Sequence, residues 1–105
     1  MVYKTNAQIA LPGRQLSTLC RRYHVRRLAL FGSVLREDFR PDSDVDVLIA
    51  LQPGTTMTIE KYIEMQDELS AMFGGREIDL VQKRLLKNPY RRHEILTTRQ
   101  VIYAA

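Results

Sequence analysis

Asp44-Val45-Asp46 and, upstream of it, Gly32-Ser33 are the residues of this chain whose types and spacing could do chemistry, with ten residues between Ser33 and Asp44. Alternate residues of a strand share a face, so Asp44 and Asp46 project together while Val45 and Val47 turn to the other side. Two carboxylates that close repel, and one is pushed toward protonation unless a cation lies between them. Hard oxygen donors of this kind suit magnesium, which keeps several waters and completes its shell with substrate phosphates. Asp79, a lone acid between Ile78 and Leu80, joins the same cluster if its strand lies beside the first. Three carboxylates could then hold two ions, one activating an attacking oxygen and one stabilising the leaving oxygen.

Gly32-Ser33 fits the other half of such a site. Glycine between a strand and a short helix lets the backbone approach a ligand closely. The N–H groups that follow, together with the Ser33 hydroxyl, are donors for phosphate oxygens. Each piece is weak alone, since Gly-Ser is an everyday turn and Asp-x-Asp can be a solvated strand end. Their combination, strand, Gly-Ser, Asp-x-Asp opening an apolar strand, then an Asp inside a third strand, is much more specific.

The elements that must position these residues are legible from periodicity. Leu16, Leu19, Cys20 and Tyr23 fall at helical spacing within Arg14 to Tyr23, which predicts a first helix. Val25 to Phe31 predicts a strand, Val34 to Phe39 one or two helical turns, and Arg40-Pro41-Asp42-Ser43 a turn. Asp44 to Leu51 is the clearest strand signal. Thr58 to Phe73 predicts a helix with Ile59, Tyr62, Ile63, Leu69, Met72 and Phe73 as its apolar stripe, an acidic solvated face, and a stop at Gly74-Gly75. Glu77 to Gln82 predicts a third strand, and Tyr90 to Tyr103 a segment that begins as helix. The order helix, strand, short helix, strand, helix, strand, helix is an α/β (α+β) unit with a small sheet.

At 105 residues the expectation is one domain, 1–105, with 1–12 as a flexible leading segment. No apolar run approaches the roughly 18 residues of a membrane span. The single cysteine, Cys20, excludes an internal disulfide and fits a cytoplasmic location. Sixteen basic against twelve acidic residues leave a formal charge of +4, a modest excess compatible with nucleotide phosphates, nucleic acid or an acidic partner. A solvated surface is the expectation for Arg21, Arg22, Arg26 and Arg27. His24 and His93 have no carboxylate or thiol at metal-ligand spacing; His24 reads as a helix-end residue.

Gly32-Ser33, ten residues, Asp44-Val45-Asp46, with RPDSDVDVLI and REIDLV around them, resembles the signature of the DNA polymerase β nucleotidyltransferase superfamily. More narrowly, the chain is similar to its minimal nucleotidyltransferases, the MNT proteins paired with helical HEPN proteins as toxin–antitoxin systems. The resemblance implies a nucleotidyltransferase fold, a mixed sheet with helices packed on it. It implies that Gly32, Ser33 and Arg36 bind the nucleotide, that Asp44 and Asp46 bind Mg2+, and that Asp79 completes the metal site or acts on the acceptor. Many relatives read Gly-Ser-Arg-x-Arg-Gly; here Val34 stands at the first Arg and Glu37 at the Gly, which removes one cation and adds one acid.

The implied activity is transfer of AMP from ATP to a hydroxyl, a tyrosine of a HEPN toxin, by an enzyme acting as antitoxin in a hetero-oligomer. A chain this short supplies only the catalytic unit, so the acceptor docks from outside and direct nucleic-acid binding is not expected. One alternative is an antitoxin that neutralises by binding alone, through the basic first helix and Arg91, Arg92 and His93. Another is a nucleotidyltransferase subunit acting on a small molecule or a nucleic acid.

Overall fold

The computed structural model describes residues 12–36, 40 and 42–105. Helix α1 (Gly13–Arg22) leads into strand β1 (Val25–Phe31), a single 3-10 turn (Gly32–Leu35) and strand β2 (Val45–Leu51). Helix α2 (Ile59–Met72), strand β3 (Ile78–Gln82), a second 3-10 turn (Lys83–Leu85), helix α3 (Pro89–Thr98) and strand β4 (Gln100–Ala104) follow. The strands form one mixed sheet in the order β3-β2-β1-β4. β1 runs antiparallel to both its neighbours, and β2 and β3 are parallel. The parallel pair needs a crossover, and α2 provides it.

Alternation along the strands divides the core into two layers. Leu28, Leu30, Val45, Val47, Ile49, Ile78, Leu80 and Ile102 face α1 and α2, meeting Leu16, Leu19, Cys20, Tyr23, Met65, Leu69 and Phe73. Ala29, Phe31 and Leu48 face the other way, toward Ile95 of α3 and Leu86. Asp46 and Asp79 alternate with the first set, so they belong to the α3 side of the sheet. α1 buries the four residues its spacing predicts, and His24 follows it with φ 57, the left-handed conformation of a helix end.

Three expectations need correction. The C-terminal segment is not a helix that trails off. α3 ends at Thr98, Arg99 turns extended at ψ 151, and Gln100–Ala104 becomes an edge strand on β1. Val101, Ile102 and Tyr103 are β-branched and aromatic, and pairing with β1 buries Ile102 completely. On α2, the buried residues are Met65, Leu69 and the following Phe73, while Ile59 and Ile63 are 76% and 49% exposed. The acidic face of α2 is not wholly solvated either. Tyr23 donates to Glu68 at 2.7 Å and Arg22 also pairs with Glu68, which ties α1 to α2. Of the predicted turns over Val34 to Phe39, the first is the 3-10 turn; residues 37–39 lie outside the described residues.

Val34 points into the core from that turn and is fully buried. The position at which the resemblance would lead one to expect an arginine is therefore spent on packing between the sheet and its helices. Val34→Arg should lower stability by about 3 kcal/mol or more, because it buries an unpaired charge. Chemical denaturation would measure it; an unchanged midpoint would show that the turn can rotate this side chain into solvent.

Candidate active site

The site is built by register. Val45 N–H donates to the Glu77 carbonyl at 2.9 Å, which starts the parallel ladder and sets Asp46 directly opposite Asp79. On its other side Asp46 pairs with Phe31, the last residue of β1, so the turn beginning at Gly32 rises beside the carboxylate. The approach is closer than any side chain allows. A Cβ on Gly32 would lie 2.2 Å from Asp46 Oδ2, and Gly32 holds φ +74. Glycine is demanded here twice, by contact and by conformation.

The loop before Asp44 is pinned. Ser43 N–H closes a turn on the Arg40 carbonyl at 3.0 Å, and the Ser43 hydroxyl accepts from Arg40 N–H at 3.1 Å. The Arg76 guanidinium, from the start of β3, donates to the Arg40 and Ser43 carbonyls at 2.8 and 3.2 Å. Arg76 thus holds the acidic loop against the strand that carries Asp79.

Electrostatics mark Asp46 as the centre. Its carboxyl is pushed up to about 6 by burial first, then by the charges of Asp79 and Asp44 and a side-chain hydrogen bond with Asp79, with Arg36 opposing. Two carboxylates can hydrogen-bond only if they share a proton. A divalent cation in place of that proton relieves the same repulsion. Asp44 lies just before β2 and is exposed; it acts on Asp46 through its charge. Among the described residues no three His, Cys, Asp or Glu side chains close into a metal cage. The donor set still fits magnesium, which is held by one or two carboxylates with substrate phosphates filling the rest of its shell.

Beside Asp46 opens a cleft of about 510 Å³, lined by Gly32, Arg36 and Asp46 with Phe31, Leu35, Arg91, Glu94, Ile95, Thr98 and Gln100. Three of the six sequence-predicted residues, Gly32, Arg36 and Asp46, line it. Ser33 is half-buried within the 3-10 turn, and neither it nor Asp44 and Asp79 forms part of the wall. The wall residues from α3 and β4 went unpredicted as nucleotide contacts. Arg91 is the most consequential of them, since it brings a second cation to the cleft where Val34 supplies none. Its only sequence signal was the basic pair Arg91-Arg92.

Residues 14–105 match the family model described as polymerase beta, nucleotidyltransferase. This chain belongs to that family. Over 67 residues it is 39% identical to the protein adenylyltransferase MntA of Thermococcus cleftensis, covering 64% of this chain and 65% of that protein. A candidate protein adenylyltransferase of Methanocaldococcus jannaschii is 38% identical over 69 residues, 66% of this chain and 67% of its own length. The alignments therefore span about two thirds of each relative. The structure of a candidate minimal nucleotidyltransferase superposes with a TM-score of 0.65 at 32% identity, over 83% of this chain and 87% of that one. A toxin–antitoxin crystal structure with AMP-PNP shares the fold, with a TM-score of 0.70 at 18% identity over 90% and 75% of the two chains.

The raised Asp46 sets a pH dependence. A carboxyl whose folded value exceeds its ordinary 3.8 contributes stability fully below about pH 4, lost as pH climbs through about 6. After discounting for solvent screening, the cost in metal-free protein at pH 7 is about 1–2 kcal/mol. Asp46→Asn should therefore raise the metal-free melting temperature at pH 7 by several degrees and flatten the slope between pH 4 and 6. Melting curves in chelator would check this; a variant that melts lower than wild type at pH 7, or keeps its slope, contradicts it.

Proposed function

We propose that this nucleotidyltransferase is a magnesium-dependent protein adenylyltransferase. It moves AMP from ATP onto a hydroxyl, a tyrosine, of a partner HEPN toxin and thereby acts as its antitoxin. The observation that carries this reading is the Asp46–Asp79 pair beside Gly32 and the Arg36 side of the cleft. Support for the donor comes from the AMP-PNP in a structure of the same fold and from the activity named for the Thermococcus relative.

The roles follow from position. The Gly32 backbone, Ser33 and Arg36 hold the triphosphate, and Asp44 and Asp46 hold Mg2+, with Asp79 as the third carboxylate of that site. When bound, the ion neutralises charge on the phosphates and on the leaving oxygen. The acceptor oxygen attacks the α-phosphorus, the bond to the β-phosphate oxygen breaks, and pyrophosphate leaves. Asp79, exposed and paired in register with Asp46, takes the proton of the acceptor hydroxyl. Residues 1–105 act as one catalytic domain in the cytoplasm, within a hetero-oligomer that brings the acceptor.

A protein acceptor is favoured by the surface next to the cleft. An apolar groove of about 420 Å³ runs between α2 and the second 3-10 turn, lined by Met57, Ile59, Tyr62, Leu80, Leu85 and Leu86 among others. Ile59 and Leu85 are 76% and 54% exposed there, and Arg91 lines both this groove and the cleft. Apolar side chains exposed beside a catalytic cleft suit a protein surface better than a sugar or a nucleic-acid backbone.

Incubation with α-labelled ATP, magnesium and a HEPN toxin should place label on the toxin, and Asp46→Asn should reduce that label at least about 100-fold. Ile59→Glu should raise the toxin concentration needed for half-maximal rate while leaving the melting temperature within a degree or two. An unlabelled toxin overturns the catalytic reading in favour of neutralisation by binding alone, and an Asp46→Asn variant that labels it as fast as wild type overturns the assignment of the site to Asp46.

A further inference from the structure

Away from the cleft, on the same α3 side of the sheet, a small hollow has a floor of Ala29, Leu48, Ala50 and Val101 and a rim of Arg26, Arg27, Lys83 and Arg99. Nothing in the nucleotidyl-transfer chemistry uses it. Ala50 is four residues beyond Asp46 along β2, about 13 Å at the rise of a strand. Ile95 of α3, packed on Ala29, Phe31 and Leu48, stands between the two places.

The rim is the work of local geometry. β1 is irregular between Val25 and Arg27, and both arginines stay exposed there instead of alternating into the core. Lys83 opens the turn after β3, and Arg99 follows the end of α3. Arg92 reaches the same group from α3, donating to the Lys83 carbonyl at 3.4 Å, and the Arg99 guanidinium donates to the Leu96 carbonyl. These backbone contacts hold cations near one another that would otherwise spread apart. Among the described residues no carboxylate lines the hollow.

We propose that this hollow is a second anion site, separate from the catalytic cleft, that takes a phosphate group. Its volume of about 40 Å³ has room for two or three waters, or one tetrahedral oxyanion. The guanidinium groups offer forked donors suited to phosphate, and Lys83 adds a point charge. Like-charge crowding leaves its mark on Lys83, whose ammonium is drawn below its ordinary range by burial first, then by Arg99, Arg92, Arg27 and Arg26. The charges that act on it most strongly are all positive. A bound phosphate reverses that balance, so the site is destabilising empty and stabilising filled. The group can belong to a free phosphate compound or to the backbone of an RNA; the chemistry at the rim is the same.

The test is thermal melting in inorganic sulfate against sodium chloride at equal ionic strength, with magnesium and nucleotide absent. Wild type should show a saturable rise of several degrees in sulfate beyond that in chloride. Arg36→Gln, altered only in the catalytic cleft, should keep the rise, whereas Lys83→Gln/Arg99→Gln and, independently, Arg26→Gln/Arg27→Gln should lose at least half of it. Chloride matching sulfate, loss of the rise in Arg36→Gln, or its full retention in both double variants overturns the proposal. A short oligoribonucleotide added to sulfate-saturated protein separates the sources. Displacement that is lost in the double variants assigns the site to phosphodiester backbone, and its absence assigns it to a free phosphate group.

Discussion

The parallel pairing of β2 with β3 sets Asp46 face to face with Asp79, and the catalytic part of the molecule is arranged around the repulsion this creates. A fold can lower such a cost by separating the acids or by giving them a cation of its own. Here neither happens. Arg36 opposes the raised Asp46 carboxyl, but more weakly than burial and the neighbouring acids raise it. The site is left short of positive charge, which the proposed metal–nucleotide complex would supply.

The surrounding contacts keep that repulsion from relaxing. Arg76 ties the Arg40–Ser43 turn to the start of β3, so Asp44 and Asp46 cannot swing away from Asp79. Gly32 closes the other side at a distance no other residue could tolerate. Buried Val34 anchors the turn that begins at Gly32, which gives a structural reason for an apolar residue there. Arg91 of α3 lines the same cleft, on the same side of the sheet. The cationic wall is thus contributed by two segments distant in sequence.

Much of this was legible from residue types. The alternation in Val45 to Leu51 and the lone acid between Ile78 and Leu80 offered Asp46 and Asp79 for one face if their strands were neighbours; the adjacency and the parallel register had to come from the fold. The Leu16, Leu19, Cys20 and Tyr23 spacing named the buried face of α1. What could not be read were features decided by tertiary packing. No glycine or proline separates Thr98 from Gln100, so nothing local announced that helix gives way to strand; β1 offers an open edge, and pairing with it overrides the helical start. On α2 two apolar stripes compete, and the sheet's shape selects the one through Met65 and Leu69, leaving Ile59 and Ile63 in solvent. The convergence of Arg26, Arg27, Lys83 and Arg99 likewise depends on four segments meeting at one corner.

The central claim is that the opposed carboxylates and the Gly32 turn make one metal–nucleotide site. The most direct measurement is carboxyl-carbon NMR of aspartate-labelled protein titrated with manganese, a paramagnetic substitute for magnesium, with and without a non-hydrolysable ATP analogue. The account predicts that the Asp46 and Asp79 resonances broaden first, at manganese concentrations at least tenfold lower when the nucleotide is present, while Asp67 on α2 broadens last. Broadening that spares Asp46, or that is indifferent to nucleotide, would contradict it.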